Sequence, residues 1–152
     1  MPQFTKNILM ENPLYKMFES QVGNVLDQNA PPFTQWLKPA LLSVKPGSFE
    51  MEITVRKEMT NPLGLLHGGV QAAILDEIIG MTVAALDKPS PAVSINLAVD
   101  FIGKAKLGDK IIARSDVVRQ GRQVINVTGE LHNAEGKLIA RAMSNMLQIG
   151  KK

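Results

Sequence analysis

The chain contains no cysteine, which excludes a disulfide framework and thiolate chemistry. Its two histidines, His67 and His132, are far apart in sequence and have no clustered acid beside them, so no metal site is expected. Aromatic residues make up only 5% of the chain. No window approaches the ~20 consecutive apolar residues of a membrane span. The opening MPQFTKNILMENPLYK lacks the basic, apolar and small-residue layout of a secretory signal. A cytoplasmic protein without a membrane partner is the expectation. There is no GxSxG elbow and no Ser–His–Asp set, which argues against an α/β-hydrolase mechanism. No glycine-rich phosphate loop sits in a βαβ unit, which argues against nucleotide hydrolysis.

What is present is ordinary for a globular protein: 152 residues, 45% hydrophobic and 20% charged, with a formal net charge of +3. That length supports one domain with a real core, taken as residues 1–152. The positive charge is concentrated in the second half. Residues 104–122 carry Lys104, Lys106, Lys110, Arg114, Arg119 and Arg122 against Asp109 and Asp116. These residues are dispersed along strand-like segments, and with so few aromatics a nucleic-acid partner is not expected. Two readings remain for the basic residues: contacts to a phosphorylated ligand, or a solvated face.

Hydrophobic periodicity divides the chain. Leu14, Met17, Phe18, Val22, Val25 and Leu26 fall near helical spacing and predict an amphipathic helix over 12–28, capped by Asn12-Pro13 and stopped at Ala30-Pro31-Pro32. Residues 41–44 predict a short strand. Phe49, Met51, Ile53 and Val55 alternate with polar residues and predict a half-buried one. After a loop over 57–66, residues 65–86 read LLHGGVQAAILDEIIGMTVAAL, a long and nearly all-apolar helix expected to end near Lys88-Pro89. The rest is β-rich. Ile95, Leu97, Val99 and Phe101 alternate with polar or small residues, and strands follow over 110–119, 122–132 and 137–149. The pattern predicts an α+β fold, in which about six antiparallel strands cover one long central helix. The first 39 residues form an additional helical extension.

The central helix carries the chemistry. A helix apolar on every face is buried, and a buried interior is a costly place for Asp76 and Glu77. Gly68 and Gly69 leave backbone N–H groups uncovered at the positive end of the helix dipole, where a negatively charged oxygen is stabilised. An oxyanion site together with a carboxylate is a minimal kit for acyl transfer or hydrolysis. However, Asp76 lies eight residues beyond Gly68, or ~12 Å along the helix axis. One side chain does not span that distance. If both serve one reaction, the carboxylate comes from a second copy of the chain, with two central helices running antiparallel. Glu77 points about 100° away from Asp76 and does not form a dyad with it; a polar or dimer contact is expected instead.

Asn61, His67-Gly68-Gly69, Asp76 and Ser94, in this order and spacing, resemble the hotdog-fold acyl-CoA thioesterases, and the phenylacetate-pathway (PaaI) type in particular. Arg119-Gln120-Gly121-Arg122 and the stretch from Glu135 to Ala140 are similar to that family's closing hairpin. The likeness spans about residues 40–149. It implies acyl-CoA hydrolysis at sites shared across a homodimer, with the dimers expected to pair into a homotetramer, a dimer of dimers. No cofactor is implied beyond the coenzyme A of the substrate. Gly68 N–H would polarise the thioester carbonyl, with Gly69 beside the substrate. Asp76 would serve as general base or as nucleophile. Asn61 would orient water, His67 would brace the loop or act as acid, and Ser94 would hydrogen-bond Asp76. The alternation with Ile95, however, places Ser94 off the apolar face. Arg114, Arg119 and Arg122 are candidates for the cofactor phosphates. A non-catalytic acyl-CoA binder and a hotdog dehydratase are the alternatives.

Overall fold

Alternating apolar residues form six strands that pair into one antiparallel sheet. The structure, a computed structural model, describes residues 11–86 and 91–150. The strands are β1 (Ala40–Lys45), β2 (Ser48–Thr54), β3 (Ala92–Phe101), β4 (Lys110–Gln120), β5 (Val124–Asn133) and β6 (Leu138–Gln148). Their order across the sheet is β1-β2-β4-β5-β6-β3. The long helix α3 (Gly68–Ala84) lies against one face, preceded by the short helices α1 (Pro13–Ser20) and α2 (Pro32–Leu37). This is the hotdog arrangement. None of the described helices is long and apolar enough to cross a membrane.

The core forms between α3 and the sheet. Ile74, Leu75, Ile78 and Ile79 of the helix are fully buried, as are Met51, Ile53, Ile111 and Leu131 of the strands. Gly129 marks the closest approach: a Cβ there would lie 3.1 Å from Leu75 Cδ2 and 3.3 Å from Ile79 Cδ1. The opposite face of the sheet carries cross-strand ion pairs, Arg114–Glu50 at 2.6 Å and Lys110–Glu52 at 3.1 Å.

The N-terminal extension departs from the helix expected over 12–28. Asn12 caps α1 by accepting from Leu14 N–H at 2.9 Å, and α1 buries Tyr15 and Phe18, the latter edge-on to Phe49. The helix stops at Ser20 because the chain is then drawn onto β1. Gly23 N–H donates to Leu41 O, Leu41 N–H to Asn24 O, and Leu26 N–H to Pro39 O. Gly23 takes a φ of 89°, a left-handed turn that suits glycine. Residues 23–26 thus cover the open edge of β1. Ala30-Pro31-Pro32, expected to stop that helix, lies ten residues past its actual end, and Pro32 instead opens α2 at its first turn. Arg56 holds the far end of α2: it donates to the carbonyls of Trp36 and Leu37, lies over the Trp36 ring and pairs with Glu58.

The two edges of the sheet therefore differ. Residues 23–26 cover β1, whereas β3 pairs only with β6 among the described residues. Strand β3 exposes Val93 (46%), Ile95 (56%) and Phe101 (56%). This ten-residue strand therefore leaves one row of its backbone N–H and C=O groups without a strand partner among the described residues. The end of α3 expected near Lys88-Pro89 lies outside the described residues, and the helix itself closes at Ala84.

Candidate active site

Asn61 organises the loop that leads into α3. Its Oδ1 accepts from Leu63 N–H at 2.9 Å and from Leu65 N–H at 3.1 Å. These bonds make a tight Asx-type turn, so the Asn61 carbonyl is committed to shaping the loop. Two backbone bonds then fix the approach to the helix: Leu66 N–H to Ala105 O at 2.7 Å and His67 N–H to Met59 O at 2.9 Å. The buried Gln71 donates from Nε2 to Leu66 O at 3.1 Å, tying the loop to the first turn of α3.

His67 is the N-cap of α3, and its Nδ1 accepts from Gly69 N–H at 2.9 Å. The ring is thereby placed as a brace. A Cβ on Gly69 would meet His67 Cε1 and Nδ1 at 3.1 Å, so the small residue is what admits the cap. Gln71 N–H already bonds His67 O as the first helical turn closes. With Gly69 N–H taken by His67, Gly68 N–H is left without a partner among the described residues at the helix start. Phe101 walls this position, with its ring 3.5–3.6 Å from where a Gly68 Cβ would lie.

Asp76 sits in the middle of α3 and is exposed in the single chain, contrary to the burial expected of an all-apolar helix. The sheet covers only one side of α3. Ala72, Ala73 and Gly80 are half-buried, and Gly69, Asp76 and Ala84 are exposed. A small-residue face with a single carboxylate thus looks outward.

Ser94 donates from Oγ to Asp76 Oδ1 at 3.1 Å. Simple alternation with Ile95 had placed Ser94 on the wrong side. The register of β3 against β6 slips between Ser94 and Asn96, with Ser94 opposite Met146 and Asn96 opposite Asn145. Ile95 is the extra residue of a β-bulge. On one side of it Ala92 and Ser94 face the helix; on the other Leu97 and Val99 do. Glu77 accepts a hydrogen bond from Thr34 Oγ1 of α2, so it anchors the extension of its own chain.

The structure brings Ser94 and Asp76 together, and it brings Asn61, His67, Gly68 and Gly69 together one half-helix away. It does not join the two groups within one chain. Arg114 lies on the outer face of the sheet, paired with Glu50. Arg119 and Arg122 flank Gly121 at the β4–β5 hairpin, lining a shallow depression with Gln123 and Val124. Among the described residues no cluster of His, Asp or Glu is arranged to hold a metal ion. Sequence reasoning missed Thr34 and Asn12 as anchors. Nothing in their local patterns points to partners 43 and 74 residues away.

The sheet thus wraps a helix that opens on Gly68 N–H and carries an Asp hydrogen-bonded by Ser94. The chain belongs to the thioesterase superfamily, whose family model matches residues 63–140. Among curated proteins it is 36% identical over 105 residues to human acyl-coenzyme A thioesterase 13, covering 68% of this chain and 75% of that protein. Among solved structures it is similar to zebrafish thioesterase superfamily member 2 (30% identity, TM-score 0.75, 91% of this chain and 97% of that one). It is also similar in fold to the PaaI protein of the phenylacetic acid degradation operon from E. coli (21% identity, TM-score 0.79, 97% and 98% covered).

Proposed function

We propose that the protein hydrolyses acyl-CoA thioesters to the free acid and coenzyme A, at two equivalent sites shared across a homodimer. One observation carries the reading: Ser94 holds Asp76 at 3.1 Å, yet the Gly68 N–H is ~12 Å away along the same helix. Two antiparallel copies of α3 bring one chain's Gly68 beside the other's Asp76, twice per dimer. The uncovered small-residue face of α3 and the open edge of β3 both supply contact surface for this pairing.

In this arrangement the thioester carbonyl oxygen accepts from Gly68 N–H, and the helix dipole adds to its polarisation. Ser94 occupies Asp76 Oδ1, which leaves Oδ2 for the reaction. That oxygen either takes a proton from water as the water attacks the carbonyl carbon, or attacks the carbon itself to form an anhydride that water then opens. Collapse of the tetrahedral species breaks the C–S bond, and the departing thiolate of coenzyme A takes up a proton. Asn61 and His67 act by holding the loop and the helix start. Arg119 and Arg122 are the candidate contacts for the cofactor phosphates, while Glu50 already engages Arg114.

The test is release of free coenzyme A, read with a thiol reagent, from aryl-, short-, medium- and long-chain acyl-CoAs. Turnover that falls by ~100-fold or more in Asp76→Ala is the expected result. No turnover by the wild type on any member, with acyl-CoA binding retained, would make the protein a binder and overturn the reading.

A further inference from the structure

A large groove opens directly beside Asp76. Its volume is about 1070 Å³, at the upper end of the range for small-molecule sites. Asp76, Gly80, Met81 and Ala84 of α3 line its floor, and Ser94 and Met146 line its sheet side. Leu14, Met17 and Phe18 of α1 form the roof, and residues 25–31 close the flank. The roof is pinned at both ends. Asn12 Nδ2 donates to Leu86 O just beyond the end of α3, and Thr34 Oγ1 donates to Glu77 beside Asp76. The extension is thus a strap laid along the C-terminal half of the helix.

Gly80 gives an independent pointer. Glycine in the interior of a helix is unfavourable, and among the described residues nothing lies within 4 Å of a Cβ placed there. Packing among the described residues therefore does not require it. Nor does the partner's helix. If the partner's helix begins at Gly68 level with Asp76, it runs back toward this chain's own helix start and crosses near Ala72 and Ala73. Gly80 and Ala84 lie beyond its end.

We infer that this groove takes the acyl chain of the substrate, and that the chain donating Asp76 also measures acyl length through its N-terminal strap. The inference rests on the shared-site reading of the preceding section. A carbonyl held beside Asp76 points its alkyl tail along the helix toward Ala84. From Asp76 to Ala84 is ~12 Å. A fully extended chain advances about 1.2 Å per bond, so the floor accommodates about ten carbons. The roof and floor along this path are apolar, with Leu14, Met17 and Phe18 above Gly80, Met81 and Ala84, while polar side chains such as Gln28 and Asn29 sit on the flank; a straight medium-length acyl group fits that strip.

The experiment is a chain-length series of saturated acyl-CoAs from C2 to C16, with wild type and Gly80→Leu, alongside the sedimentation mass of both. Wild-type kcat/KM should rise with length and level off near C10. Each methylene buried is worth about fourfold, so a leucine that displaces three or more should lower the C10-to-C4 ratio of kcat/KM by about 50-fold or more. Leucine is a better helix former than glycine, so the variant should fold and keep its dimer mass. Equal losses at every length, or dissociation of the dimer, would overturn the inference and assign Gly80 to subunit contact. A wild type whose kcat/KM is flat with length would overturn it too, while leaving the hydrolase reading intact. Absence of any thioester turnover would instead remove the reading on which it rests.

Discussion

Two inactive variants should restore activity when combined. Asp76→Asn removes the carboxylate and keeps its shape. Gly68→Pro removes the N–H donor and puts a ring carbon in its place. Proline is well tolerated at the first position of a helix, and His67 already has the extended conformation that a following proline requires, with φ −61° and ψ 136°. A Cβ at position 68 would meet the Phe101 ring at an ordinary contact distance of 3.5 Å. Loss of one oxyanion donor costs ~10²–10³ in kcat, and loss of the base or nucleophile a comparable factor. Each homodimer should therefore keep ~1% of wild-type activity or less. In a mixed dimer, one site combines the intact Gly68 of one chain with the intact Asp76 of the other, and the second site carries both lesions. Random pairing makes half the dimers mixed, so the population recovers about a quarter of wild-type turnover per site. Co-expression with two different tags, tandem purification and the thiol assay measure this, and purified mixed dimers should reach about half. Mixed dimers of confirmed mass that stay at the parental level would refute the shared-site geometry outright.

Ser94→Ala should lower kcat by about tenfold with little change in KM, because a hydrogen bond to a charged group is worth roughly 1.5 kcal/mol or more; steady-state kinetics on the best substrate reads this. Thr34→Val should destabilise the fold by about 1–2 kcal/mol, since Glu77 is half-buried and loses its donor; urea unfolding followed by Trp36 fluorescence measures the loss. Burial, and then the nearby charge of Glu19, push the Tyr15 phenol above its ordinary value of 10.0. The unfolded chain therefore releases this proton first, and the associated stability is present below pH ~10 and lost as pH rises further. Tyr15→Phe should remove that alkaline component, so the difference in urea midpoint between wild type and variant should change as pH is raised from about 9 to about 11.

The strands were legible because alternation is a local signal: Phe49, Met51 and Ile53 read inward from sequence and are buried. The long helix was legible for the same reason, down to His67 at its start. The errors came where a distant partner decides the local structure. Val22, Val25 and Leu26 keep helical spacing, but the unsatisfied edge of β1 pulls residues 23–26 into an extended path. Asp76 lies on an all-apolar helix, yet it is exposed because one chain supplies too little sheet to surround α3. Alternation alone put Ser94 off the apolar face, whereas the family resemblance had it bonding Asp76; alternation assumes one residue per pleat, and a bulge adds one. The anchors Thr34 and Asn12 leave no periodic trace, as each is a single polar contact to a remote segment.

The bulge also sets which length changes β3 can absorb. With Ile95 deleted, Ser94 would sit two residues before Leu97, on the same side of a regular strand, and both halves could keep their pairing with β6. A deletion at Ala98 would instead turn every residue before it to the opposite face, Ser94 included. The bulge is thus where this strand can lose a codon without turning the side chains before it to the opposite face. Related chains that differ in length here should differ at this point, with the serine still facing its carboxylate.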